Sequence, residues 1–322
     1  MHNRLMVSFL LFLSLHYSGH TQALQANTDT ISIKALSDGN KLDVLILKNS
    51  LKKTKLPAII FSVGSGDLPW VKSYGNQVQF YFENTFLLND FAVVYFDKRG
   101  VGNSEGIWYE TTFEQRALDV KNVAIEIQKL DFIDRDRVFV IGHSQGGWIT
   151  QIALSLYPDV FAGGVSMAGP TFGVRKQLIN DYMSGYLCKG FEEDRAFRKA
   201  KRKVNRDLFL ISLLGRKGNL KQLKVIKNFE PESYLKTINR PLLMLFAEND
   251  PLVNPQWSLD ALKSIFPAGM PQNITYYIAQ GEDHSFRIAP KCYNGSYKDL
   301  KLSVPTRDLM FSWVVELLAN KY

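Results

Sequence analysis

The segment Gly142-His143-Ser144-Gln145-Gly146 places a serine between two glycines, each two positions away. This G-x-S-x-G spacing suits a serine held at a sharp turn from a strand into a helix, where larger flanking side chains would collide. The context fits, because Arg137-Val138-Phe139-Val140-Ile141 precedes the turn as an apolar run and an apolar helix follows it. A serine hydroxyl becomes a useful nucleophile only when a general base takes its proton. The chain has five histidines: His2, His16, His20, His143 and His284. The first three fall in an N-terminal leader-like segment, and His143 is the neighbour of Ser144, so its side chain points elsewhere. His284, in a loop after the last apolar run, is the base that remains.

A histidine base needs a carboxylate that fixes its tautomer and steadies the imidazolium. Asp250 follows the apolar run Leu242-Leu243-Met244-Leu245-Phe246-Ala247 and precedes Pro251. Glu248 reads as a loop or structural carboxylate, and Asp283 is too close to its neighbour His284 to fold back onto it. The chain order is then Ser144, Asp250, His284. Acyl transfer also needs donors for a developing oxyanion. The Gln145 N–H, at the positive start of a helix, is one. The other is expected from Val63-Gly64-Ser65-Gly66-Asp67, with Ser65 first and Gly66 next.

These groups need a frame. Residues 31–35 and 42–47 flank Asp38-Gly39-Asn40 as a hairpin. Continuous apolar runs at 58–61, 91–97, 137–141, 241–247 and 274–279 read as strands buried on both faces. Helices are expected over 78–88, from the capping box Thr112-x-x-Gln115 to about Leu130, over 145–157, and over 306–318. Alternating strands and helices imply a mostly parallel, doubly wound α/β sheet with an antiparallel N-terminal hairpin. Residues 171–235 break the alternation and read as a helical cap over the C-terminal ends of the strands, where such sheets bind ligands. The expected organisation is a leader at 1–23, a core at 24–170 and 236–322, and a cap at 171–235.

Phe96-Asp97-Lys98-Arg99-Gly100-Val101-Gly102-Asn103-Ser104 resembles the D-x-R-G-x-G-x-S loop of α/β-hydrolases. Together with the motifs around Ser144, Asp250 and His284, the chain resembles the serine-hydrolase branch of carboxylesterases, S33-type aminopeptidases and acyl thioesterases. The resemblance runs from about residue 30 to the C-terminus. It implies an α/β-hydrolase fold and structural roles for Asp97 and Arg99. Many members carry His-Gly at the oxyanion loop, where this chain has Val63-Gly64.

The leading expectation is an exported serine hydrolase that cleaves carboxylic esters through an acyl-enzyme, with no metal or cofactor. Its partner would be a small acyl-ester or peptide substrate, and no nucleic acid is expected. Within enzymes the rival readings are an aminopeptidase, with Glu192, Glu193 and Asp194 available to grip an amine, and an acyl thioesterase. From another class, the fold would serve as a polyanion- or membrane-binding protein.

The remaining features bear on setting. Arg4, the apolar stretch 7–15 and Thr21-Gln22-Ala23 read as a signal peptide, placing the protein in the periplasm or outside the cell. No later segment is long and apolar enough to span a bilayer. Cys188 and Cys292 are the only cysteines; as a pair they would close a loop of roughly 100 residues, and otherwise they are free thiols. Asn273-Ile274-Thr275 and Asn294-Gly295-Ser296 match glycosylation acceptors. Net charge is +8, and between residues 171 and 228 there are 15 Lys and Arg against 5 Asp and Glu. That excess reads first as a solvated helix face and second as an attraction for anions.

Overall fold

The computed structural model describes residues 27–319, so the leader lies outside the described residues. Its strands are β1 (Thr28–Ser37), β2 (Asn40–Asn49), β3 (Leu56–Ser62), β4 (Ala92–Phe96), β5 (Ile133–His143), β6 (Gly163–Met167), β7 (Leu242–Ala247) and β8 (Ile274–Ala279). They form one eight-stranded sheet in the order β1-β2-β4-β3-β5-β6-β7-β8. β1 and β2 pair antiparallel, as do β2 and β4, and every later pairing is parallel. This is the α/β-hydrolase fold with its antiparallel hairpin at one edge.

Helices α1 (Trp70–Val78), α2 (Phe113–Ile127), α3 (Gln145–Leu156), α8 (Pro255–Ile265) and α9 (Val304–Ala319) cover the sheet. One apolar layer joins the sheet to α2, α3 and α8 through side chains such as Val120, Ile149 and Leu262. The other joins it to α1 and α9 through Val78, Met310 and Val314. Both faces are therefore buried, which is why the central strands are continuous apolar runs rather than alternating ones. Between β6 and β7 lie α4 (Val174–Leu187), α5 (Glu193–Leu214), α6 (Gly218–Ile226) and α7 (Glu232–Thr237). α4 and α5 share an apolar cluster of their own, built on Ile179, Met183, Ala196, Ala200, Val204 and Leu208.

Thr112 and Gln115 form the expected reciprocal capping box at the start of α2. The helix expected over 78–88 differs. A regular helix ends at Val78, followed by a π turn over Gln79–Glu83 and a short 3-10 turn over Leu87–Asn89. Its start is fixed from afar, because the Trp70 N–H donates to Asp97 Oδ1 at 2.8 Å. A cap supplied by a residue 27 positions later leaves no local sequence signal. α8 is absent from the sequence-based elements, although Asn254 caps it locally by accepting from the Trp257 N–H.

Cys188 and Cys292 are joined, with Cα atoms 5.4 Å apart across 104 residues. The bond ties the C-terminal end of α4 to the loop after β8 that also carries His284. Asn273 donates from its side-chain amide to the carbonyls of Ile238 and Arg240, so that acceptor motif is occupied in the fold, whereas Asn294 is exposed. No helix among the described residues is long and apolar enough to cross a membrane. Reducing the disulfide, or replacing Cys292→Ser, is expected to lower stability by about 4 kcal/mol in the chain-entropy picture. Urea unfolding with and without reductant measures this, and Cys292→Ser should become insensitive to reductant.

Candidate active site

Ser144 sits where β5 ends and α3 begins, with φ 58° and ψ −119°. That left-handed backbone is strained for a residue with a Cβ, and the neighbouring glycines make it possible. A Cβ at Gly142 would lie 2.0 Å from the Gly146 carbonyl oxygen, and one at Gly146 would lie 2.0 Å from the Ser62 carbonyl oxygen. The elbow is fixed to the sheet by the Ser144 N–H, which donates to Met167 on β6 at 2.8 Å.

The structure brings the expected base and acid together. His284 Nδ1 lies 2.7 Å from Asp250 Oδ2. The other Asp250 oxygen accepts from the backbone N–H groups of Leu252 and Val253 at 2.7 and 2.9 Å, which locks the carboxylate in orientation. Burial opposes a charge on His284, but Asp250, Asp283 and Asp181 outweigh it and raise the pKa above its ordinary value. Glu248 instead accepts from the Gly281 N–H, and Asp283 accepts from the N–H groups of Ser285 and Arg287. Both carboxylates shape the loops around the pair. Ser144 Oγ and His284 Nε2 do not form a hydrogen bond in this resting geometry; such contacts commonly tighten when substrate binds.

His143 points away from the serine side chain but is not idle. Its Nε2 lies 2.7 Å from the His284 carbonyl oxygen, and its Nδ1 lies 3.1 Å from the Tyr74 hydroxyl. Burial, reinforced by the nearby His284, depresses its pKa to about 3, so the ring is neutral and carries one proton. A carbonyl can only accept, so that proton resides on Nε2 and Nδ1 accepts from Tyr74. The Tyr74 oxygen in turn accepts the Gly64 N–H at 3.0 Å. One chain of hydrogen bonds thus joins the loop after β3, the elbow and the loop that carries the base.

The loop after β3 lies against Ser144: a Cβ at Gly64 would be 3.2 Å from Ser144 Cβ. With the Gly64 N–H committed to Tyr74, the next amides, Ser65 and Gly66, make no hydrogen bond among the described residues, and neither does the Gln145 amide. Behind this loop are two buried basic side chains that the sequence reading misses. Lys98 Nζ donates to the Gly64 carbonyl at 3.1 Å. Arg116 donates to the Val63 carbonyl at 2.6 Å, to that of Gly64 at 3.3 Å, and to the Gln145 side-chain oxygen at 3.0 Å. Burial lowers both pKa values, that of Arg116 to about 10, which leaves it charged at neutral pH. Lys98 lies inside the D-x-R-G motif and Arg116 in an ordinary amphipathic helix, so neither position advertises this contact. Arg99, as the resemblance implies, is structural: it bridges Asp119 and Asp38. Asp97 supports the start of α1.

Glu192, Glu193 and Asp194, the acids considered for gripping an amine, are exposed at the start of α5. The cap carboxylate that interacts with His284 and Asp250 is Asp181 on α4, and burial raises its pKa despite the opposing effect of His284. Among the described residues no group of three or more His, Cys, Asp or Glu is placed to hold a metal ion. Arg116→Met would leave the buried carbonyl of Val63 short of a donor, while that of Gly64 keeps Lys98. It is expected to lower the unfolding free energy by about 1–3 kcal/mol in urea titrations.

A family model described as serine aminopeptidase, S33, matches residues 74–197, a span that contains Ser144 but neither Asp250 nor His284. Poly(3-hydroxyalkanoate) depolymerase C of Paucimonas lemoignei is 35% identical over 104 residues, which are 30% of this chain and 24% of that protein. Human dipeptidyl peptidase 8 is 29% identical over 126 residues, 37% of this chain and 14% of that protein. The chain therefore spans about a quarter or less of these curated relatives. Among solved structures, the Pyrococcus furiosus esterase Pf2001 superposes with TM-score 0.60 at 16% identity, covering 92% of each chain. Est1E of Butyrivibrio proteoclasticus, solved with ferulic acid bound, gives TM-score 0.57 at 17% identity and covers 89% of this chain and 100% of that one. At these identities the structural likeness establishes the fold.

Proposed function

We propose that this chain, which has the α/β-hydrolase fold and matches a serine aminopeptidase, S33, model over residues 74–197, is a serine hydrolase that cleaves carboxylic esters through an acyl-enzyme. The observation that carries this reading is the 2.7 Å hydrogen bond between His284 Nδ1 and Asp250, in a loop that His143 pins beside Ser144. In the proposed cycle, Ser144 Oγ attacks the ester carbonyl carbon while His284 Nε2 takes its proton. The carbonyl oxygen, now anionic, accepts from the Gln145 N–H and from Ser65, with Gly66 the neighbouring donor. The tetrahedral adduct collapses, the C–O bond breaks, and His284 returns the proton to the departing alcohol. Water then attacks the acyl-enzyme, giving its proton to His284, and the second collapse releases the carboxylic acid and restores Ser144. Protons and electron pairs balance within these residues and water.

Electrostatics favours the oxyanion. Arg116 places buried positive charge directly behind the donor loop, where water screens it little, and Lys98 donates a hydrogen bond to the same loop. The disulfide supports the reading of 1–23 as an export signal, since such bonds persist in oxidising compartments.

One observation favours a second reading. Asp181, partly buried beside the His284–Asp250 pair, would suit a substrate with an ammonium group, as in a peptidase. Turnover of a p-nitrophenyl acyl ester exceeding that of an aminoacyl anilide supports the ester reading; the reverse order, abolished by Asp181→Asn, supports the peptidase.

Wild-type protein is expected to label with a fluorophosphonate at Ser144, and Ser144→Ala to lose labelling and at least about 1,000-fold of its ester turnover. Equal turnover by the two proteins would end the assignment. The base must be neutral to accept a proton, and its pKa is raised. The acidic limb of kcat/KM is therefore expected above about pH 6.5. Asp250→Asn should move that limb down while lowering kcat by about 10,000-fold. A pH–rate profile of each protein checks both the position and the direction.

A further inference from the structure

Helix α5 has 22 residues, which makes it about 33 Å long. Its buried side is Ala196, Ala200, Val204 and Leu208, packed on α4. Arg195, Lys199, Arg202 and Arg206 follow one another at helical spacing along the opposite, exposed side. The same line continues into Phe209 and Leu213, so one face is cationic for most of its length and apolar at its tip. The sequence alone favoured a solvated face here. What the structure adds is the state of that tip: Phe209, Leu213 and Leu214 are 64%, 61% and 66% exposed, with Leu210 and Leu220 exposed beside them.

Two further observations tie the patch together. Arg195, Arg198, Lys199, Arg202, Lys203 and Arg206 border one shallow depression, so the cations are neighbours in space. At the tip, Leu210, Leu214 and Leu220 open onto a cavity of about 380 Å³ whose other walls include Leu178, Ile211 and Leu223. Asp207 is the charged residue at its edge, and it is already paired with Lys203 and Arg206. A cavity of this size and lining suits an aliphatic chain.

We propose that the cap docks onto an anionic phospholipid surface through α5, with the cations on headgroup phosphates and the apolar tip at the acyl boundary. A segment with this division of character lies in the interface with its apolar part buried about 5–10 Å. Each lysine or arginine near an anionic surface adds attraction that salt screens. The two other occupants of such a patch fit less well. A second copy packed through the same face would set one row of cations against another, because a two-fold interface is self-complementary. A polyanion would use the cations but leave the bare leucines in water. The inference does not depend on the hydrolase reading, because it concerns a surface of the cap.

The full chain carrying Ser144→Ala, which leaves lipids intact, is floated with phosphatidylcholine vesicles with and without phosphatidylglycerol. Binding to the phosphatidylglycerol vesicles is expected, weakening as salt rises. Two variants should each reduce it by about tenfold or more: Phe209→Ser with Leu213→Ser and Leu214→Ser, and Arg195→Glu with Arg202→Glu. All five side chains are exposed, and melting curves confirm that both variants fold. No binding, equal binding to both vesicle types, or binding that survives both variants would overturn the proposal. Heparin binding untouched by the serine variant in a protein that ignores vesicles would assign the face to a polyanion instead. A concentration-dependent dimer abolished by the serine variant would assign it to a second copy.

Discussion

Burial leaves His143 a single proton, and the acceptor it meets is the backbone carbonyl of His284. That constraint fixes the direction of every hydrogen bond around it. Tyr74 must donate to the other ring nitrogen, and its oxygen is then left to accept from Gly64. With the Gly64 amide occupied, the amides of Ser65 and Gly66 are the ones free to face a ligand. His143 therefore sets the register between Ser144, His284 and the loop after β3. A protonated His143 would turn a donor toward Tyr74 and break the sequence of bonds, and the buried environment makes that form costly.

The same loop concentrates charge. Buried cations usually face carboxylates, but Lys98 and Arg116 hydrogen-bond to the carbonyls of Val63 and Gly64 instead. A trans peptide sets its N–H opposite its C=O, so the Gly64 carbonyl held by these side chains leaves the Ser65 N–H on the other side of that peptide plane. Both side chains orient the loop, and Arg116 adds positive charge to it. Arg116 also holds the Gln145 side chain, so one guanidinium touches both the loop after β3 and the start of α3.

The helices between β6 and β7 are bound to the sheet domain beside Asp250 and His284. Asn180 and Gln177 on α4 donate to the carbonyls of Pro251 and Leu252, just after Asp250, and the disulfide fastens the same helix to the loop that carries His284. α4 thus sits against the segments that carry Asp250 and His284, while α5 keeps its cationic face and apolar tip in solvent. The division of labour follows from packing: the helix next to the sheet is constrained by the site, and the outer one is free to carry surface character.

The sharp turn at Ser144 and the meeting of Asp250 with His284 were legible in the chain because their signals are local or eliminative. The elbow needs glycines at fixed offsets, and few histidines compete for the role of base. The strands were legible too, because burial on both faces turns each into an apolar run. The start of α1, the hydrogen bonds of His143, Tyr74, Lys98 and Arg116, the pairing of Cys188 with Cys292, and the bare tip of α5 were decided by tertiary structure alone. The physical reason is distance along the chain. Gly64 and Ser144 touch only when β3 and β5 lie side by side, and Asp97 caps a helix 27 residues before it only when β4 has joined the sheet. A sequence states which groups are available for such contacts, whereas the closed sheet determines which of them meet.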